Sequence, residues 1–255
     1  MEHGGFGEAI KRTVTWWFKG VRVYIALASL ITSLVVWMWA QAAFGGNPTL
    51  VLIRMEEAYA WLSVGFLVAA LGIGPVFKLF PDAPGKGQWF DARRLIGVSA
   101  AYFALLHVVT VCVSETSGGG ASLSAFLLNK QAILGLLALL MLLALVATSF
   151  DKAIKTMGVW WFRLHRLIYI AAFLALLHAF MIGAHATSIG PLMVIIALAV
   201  ALIILHICVA LGKPKTSWWQ WLTIALAAIL LIAIGNYGVQ RYVERVIIIN
   251  GHTHR

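Results

Sequence analysis

Two histidines lie deep inside apolar runs of this chain, His107 at the end of LIGVSAAYFALLH and His178 at the end of IYIAAFLALLH. The sequence has eight histidines. His3, His252 and His254 belong to polar tails, and His185 reads as an interfacial residue. His107, His165, His178 and His206 fall within membrane-length apolar text, where an ionisable group is costly and commonly functional. A neutral imidazole at such depth either bonds to a neighbouring helix or presents a ring nitrogen to a metal. Two imidazoles facing each other across a flat macrocycle would make a bis-histidine b-type heme.

Depth separates the four histidines. At a helix rise of about 1.5 Å per residue, His107 lies roughly 20 Å beyond Arg94. His178 lies about 27 Å beyond Trp160 on a helix of the same direction. These two therefore share the outer half of the membrane. His165 sits near the inner face, and His206 lies about 9 Å from the inner end of its own span, so a second, inner heme between His165 and His206 is an open alternative. Small residues accompany the outer pair. Ala104 and Ala100 precede His107 by three and seven residues, and Ala175 and Ala171 precede His178 by the same offsets. Those offsets share the histidine's helix face and leave room for a flat ligand, although small residues also pack membrane helices against one another. His165 and His178 are thirteen residues apart, so a straight helix would point them roughly 140° apart.

The elements that must position these residues are transmembrane helices. The 255 residues are 62% hydrophobic and only 11% charged, against about 25% charged in soluble domains. The apolar residues gather into seven runs, 21–43, 60–80, 95–114, 126–149, 160–182, 191–212 and 217–238, long enough to cross a core of about 30 Å. The expected fold is an all-α integral membrane bundle of about seven helices. The net charge of +10 does not indicate nucleic acid, because fourteen of the nineteen Lys and Arg residues fall at one set of span ends. That asymmetry places those ends and the N-terminus in the cytoplasm and the C-terminus outside. Trp16, Trp89, Trp160 and Trp218 fall near the same ends, where amphipathic rings favour the interface. The polar start, MEHGGFGEAIKRTV, does not read as a cleavable signal peptide. Cys112 and Cys208 lie inside spans without a CxxC pairing. No Ser-His-Asp set, phosphate-binding loop or matching pair of broken spans is present, and carboxylates are nearly absent from span interiors. These features argue against a hydrolase, a nucleotide-driven pump, a transporter and a carboxylate proton relay.

RRLIGVSAAYFALLH (93–107) and ATSFDKAIKTMGVWWFRLHRLIYIAAFLALLH (147–178), with SVGFLVAALGIGPVFKLF (63–80), resemble the ferric reductase-like transmembrane family. Within it they resemble the heme-binding membrane subunits of periplasmic methionine sulfoxide reductase systems. The resemblance covers roughly residues 60–180. It implies a six-helix core at 21–214 that carries electrons across a bacterial inner membrane through heme b, one or two per chain. Flanking it are a cytoplasmic segment at 1–20, an added helix at 215–240 and a periplasmic tail at 241–255. It implies His107, His165 and His178 as heme ligands. Larger family members supply two ligands from the third span, whereas the inner position here is Arg93. Arg93, Arg94, Arg163 and Arg166 either enforce topology or bind heme propionates or the phosphate of FMN. The implied partners, besides the lipid bilayer, are a quinol or cytoplasmic flavin reductase as donor and an outer-side redox protein as acceptor. The alternative is a structural anchor subunit of a larger respiratory or photosynthetic complex, its heme absent or degenerate.

Overall fold

The computed structural model of the chain describes residues 21–82, 84–117 and 129–183, together with 200, 207 and 209. The proposed spans at 191–212 and 217–238, the C-terminal tail, and His3, His185, His206, His252 and His254 lie outside the described residues or almost wholly so. The regular structure described is helical: α1 (Val21–Phe44), α2 (Pro48–Leu79), α3 (Lys86–Ser117), α4 (Lys130–Ala147), α5 (Asp151–Met157), α6 (Val159–His165) and α7 (Leu167–Gly183). Five stretches are long and apolar enough to cross a membrane: 21–44, 48–79, 86–115, 130–147 and 159–179. The protein is thus an all-α, multi-pass membrane protein. The described part accounts for five of the seven expected crossings.

Helix starts explain the main departure from the sequence reading. The second apolar run, 60–80, puts the start of that span near residue 60. Instead α2 begins at Pro48, because the Asn47 side-chain oxygen accepts the Leu50 backbone N–H at 3.1 Å. An Asn cap followed by proline in the first turn is a strong start signal. Arg54, Glu56 and Glu57 are therefore helical. At 32 residues, α2 is about 48 Å long, well beyond the hydrocarbon thickness of roughly 30 Å. Asn129 caps α4 in the same way, accepting from the Gln131 N–H at 3.1 Å.

The chain divides into two units, residues 1–70 with 87–175, and 71–86 with 176–255. In the first, α2 and α3 pack antiparallel in one constant register. The Glu56 carbonyl meets the His107 ring, the Ser63 hydroxyl donates to the Ala100 carbonyl at 2.9 Å, and Arg93 Nε donates to the Ala70 carbonyl at 2.9 Å. Phe103, fully buried, fills the middle of this seam. Its ring stacks on Tyr59 at 6.3 Å and Phe66 at 5.4 Å and meets Tyr102 edge-on at 5.2 Å. Helix α1 runs parallel to α3. Ser29 bonds Ser99 at 2.9 Å, Ser33 bonds Tyr102 at 2.9 Å, and Arg22 approaches Asp91 at 3.8 Å. Such hydroxyl contacts, each worth about 0.6 kcal/mol on average, hold helices together where lipid removes the hydrophobic drive. The rest of α1 presents Leu27, Ile31, Leu34 and Met38 outward, as a lipid-facing surface should.

At one end of this unit α3 meets the segment after α4. Arg94 pairs with Asp151, the first residue of α5, at 2.8 Å. Gly158 then turns the chain from α5 into α6 with φ 51° and ψ −119°, a region that only glycine enters cheaply. In the second unit, α2 carries Pro75 inside the helix, and Phe77 and Leu79 are buried near its end.

Phe103→Ala should lower the thermal unfolding midpoint of the detergent-solubilised protein far more than Phe103→Leu. The loss should sit at the low end of the roughly 3–5 kcal/mol seen in soluble cores, since transfer from lipid removes part of the driving force. Gly158→Ala should cost about 1–3 kcal/mol, although its added Cβ would meet no atom within 4 Å. Gly97→Ala, equally open but inside α3, should leave the midpoint unchanged or raised. Equal midpoints for the two glycine variants would contradict the backbone argument.

Candidate histidine-based cofactor site

His107 lies on α3, thirteen residues beyond Arg94 and half-buried. Its Nδ1 is 2.9 Å from the Glu56 carbonyl oxygen. A carbonyl only accepts, so Nδ1 carries the hydrogen and the neutral ring keeps its lone pair at Nε2. The unexpected length of α2 makes this possible, because Glu56 belongs to the helical extension that begins at Asn47. Thr110, one turn further along α3, returns its hydroxyl to the Leu106 and His107 carbonyls at 2.9 and 2.8 Å.

His165 occupies the other level. It is the last residue of α6 and half-buried. Its Nδ1 is 3.1 Å from the Trp161 carbonyl oxygen, which sets the same tautomer. Its Nε2 is buried without a hydrogen-bond partner. An orphaned buried nitrogen of this kind is costly in protein and is the state of an imidazole prepared to ligate a metal.

The junction after His165 bears on the thirteen-residue spacing. Arg166 stands between α6 and α7, and its N–H turns back to the Arg163 carbonyl at 3.2 Å. The Tyr169 N–H reaches the Arg166 carbonyl at 3.1 Å. These three-residue bonds are 3₁₀ geometry, which turns about 120° per residue rather than 100°. The two histidines on this crossing therefore do not share one straight helix. His178 is on α7, in the second unit, and half-buried.

Among the alanines singled out by their offsets, Ala100 and Ala171 are fully buried, while Ala104 and Ala175 are half-buried. The four arginines behave differently from one another. Arg93 clamps α3 to the α2 backbone at Ala70. Arg94 engages Asp151. Arg163 is exposed, with its guanidinium 4.7 Å from the centre of the Trp160 ring, and Arg166 is exposed at the junction. Trp161, in place of the small residues that precede His107 and His178, stands four residues before His165. Its position one helical turn before His165 was the available signal.

No three His, Cys, Asp or Glu side chains converge as a cage for a bare metal ion among the described residues. A heme needs no such cage. The porphyrin supplies four nitrogens, and the protein adds one or two axial imidazoles. The His165 ring, held through Nδ1 with a buried Nε2 that has no hydrogen-bond partner, fits that donor chemistry.

Residues 58–176 match the ferric reductase like transmembrane component. The heme-binding subunit MsrQ of the protein-methionine-sulfoxide reductase of Rhizobium meliloti is 30% identical over 144 residues, 56% of this chain and 64% of that protein. The MsrQ of Polaromonas naphthalenivorans is 29% identical over 161 residues, 62% of this chain and 70% of its own length. That of Cronobacter sakazakii is 28% identical over 172 residues, 66% of this chain and 80% of its own. The match thus spans just under two thirds of the first of these relatives. No solved structure matches the chain. Over residues 58–176, which contain most of the α2–α3 seam together with His107 and His165, the chain is similar to the ferric reductase like transmembrane component.

Proposed function

We propose that the chain is a b-type cytochrome subunit that passes single electrons across a bacterial inner membrane. The observation that carries this reading is the buried, unpartnered Nε2 of His165, on a ring whose Nδ1 is already committed to a carbonyl. His107 shares the same Nδ1 arrangement at the other level. Heme, when bound, supplies a ferric/ferrous couple that moves one electron without moving a bond.

The chain's own residues would do the rest. On the depths read from the sequence, His107 and His178 would hold one heme in the outer half of the membrane through their imidazole nitrogens. His165 would hold the inner one together with His206. The apolar spans keep water from the iron. Arg163 and Arg166, exposed near the inner level, suit propionates or a flavin phosphate by charge-assisted bonds.

The arginine-rich ends are taken as cytoplasmic. The full arrangement is then seven crossings with the N-terminus inside and the C-terminus in the periplasm. A quinol or a cytoplasmic flavin reductase donates, and a periplasmic redox protein accepts. The names of the MsrQ relatives, heme-binding subunits of a methionine sulfoxide reductase, support both the cofactor and the kind of partner.

The test is heme quantification on the purified full chain. A pyridine hemochrome assay should give two hemes per chain, and the reduced-minus-oxidised spectrum should be that of low-spin heme b. His107→Ala and His178→Ala should each remove the same one heme, and His165→Ala the other. Undiminished heme in His107→Ala or His178→Ala would overturn the outer ligand pair. A heme-free wild-type protein would overturn the whole reading.

A further inference from the structure

Several contacts converge on His165, and all involve Trp161. The indole ring stacks on the imidazole with centroids 3.8 Å apart and planes 25° from parallel. The Trp161 carbonyl oxygen lies 3.1 Å from His165 Nδ1. One residue therefore covers a face of the imidazole and ties one of its two nitrogens. What remains is the Nε2 edge, which is buried and has no partner.

Trp161 is itself fixed. Its indole Nε1–H donates to the Thr148 carbonyl at 2.8 Å. Thr148 closes α4, and its hydroxyl and that of Ser149 turn back to the last carbonyls of that helix, including Leu145 at 3.2 and 2.6 Å. The Thr148 carbonyl is left facing forward to receive the indole. At its backbone, the Trp161 N–H bonds the Gly158 carbonyl at 3.2 Å, which ties the ring's position to the turn that starts α6. Each link is short and local, so the imidazole is held by the α4 terminus through one intervening ring.

We propose that Trp161, anchored on the Thr148 carbonyl, is a positioning residue. It holds His165 in the tautomer and orientation that present Nε2 to a heme iron. The inference rests on the reading of His165 as a heme ligand, and it goes beyond that reading by assigning the residue that aims the ring. Phenylalanine at 161 can stack but cannot reach Thr148 with a donor. Leucine can do neither. Both retain the backbone carbonyl, so the variants separate ring aim from tautomer choice.

The full chain in detergent micelles, loaded with heme, tests this with Trp161→Phe, Trp161→Leu and His165→Ala. Three quantities are read: heme per chain, midpoint potential by redox titration, and the low-temperature electron paramagnetic resonance of the ferric state, whose g-values report how the axial rings are oriented. Trp161→Phe is expected to keep the protein folded while shifting the g-values and midpoint of the component that His165→Ala removes. Trp161→Leu is expected to weaken heme retention at that component by about 10–100-fold, the usual cost of losing a residue that orients a metal ligand. A merely structural tryptophan would lower thermal stability and leave g-values and midpoint where they were. If His165→Ala removes a heme and both Trp161 variants match the wild type in all three readouts, the positioning role is wrong. If His165→Ala itself changes nothing, the ligand reading fails first and takes this inference with it.

Discussion

The hydrogen bond from an imidazole Nδ1 to a backbone carbonyl organises the chemistry of this protein. In lipid a histidine cannot leave either ring nitrogen to water, and an unmatched polar atom costs several kcal/mol or so. A carbonyl settles half of the problem and decides the other half. It takes the Nδ1 hydrogen, so Nε2 must carry the lone pair. At His107 the carbonyl comes from Glu56 on a neighbouring helix, and at His165 from Trp161 on the same one. One is a contact of tertiary packing and the other of local helix geometry. They produce the same donor atom at two levels of the membrane.

The tertiary version depends on register. His107 meets Glu56 only because α2 and α3 hold one antiparallel alignment from Arg93 and Ala70 at one end to His107 and Glu56 at the other. Buried Phe103 and the Ser63 hydroxyl lock the middle of that seam. Helix α1 adds Ser29 and Ser33 along the other side of α3. A slip of one turn would carry the Glu56 carbonyl about 5.4 Å from the ring. Polar contacts that look minor one by one thus fix the proton on an imidazole near the far end of the same helix.

The sequence made much of this legible, for a physical reason. Apolar runs of membrane length and the skewed placement of arginine are coarse signals that survive without any knowledge of contacts. They located five crossings to within a few residues at most ends, and His107 and His165 at different levels. The start of α2 was harder. Arg54, Glu56 and Glu57 depress local hydropathy, so a hydropathy reading begins the span too late, while the capping signal of Asn47 and Pro48 was present and stronger. The contacts of Trp161 were hidden for another reason. Tryptophan at a span end is ordinary in membrane proteins, and neither its stack on His165 nor its bond to Thr148 can be read until α4, α5 and α6 are placed. Capping and periodicity are local, whereas a ring's aim depends on the turn that delivers it.

At Arg93 a charged side chain inside the helical bundle strengthens the α2–α3 seam. A ligand histidine there would need space for a porphyrin beside α3. The arginine instead spends its Nε–H on the Ala70 carbonyl of α2 and joins the two helices directly. The buried Nε2 of His165 lies on a crossing that 3₁₀ bonds interrupt at Arg166. The interruption lets the residues on its two sides take independent rotational phases. Thirteen residues on a continuous helix would force those phases apart by a fixed angle, and the junction at Arg166 removes that constraint.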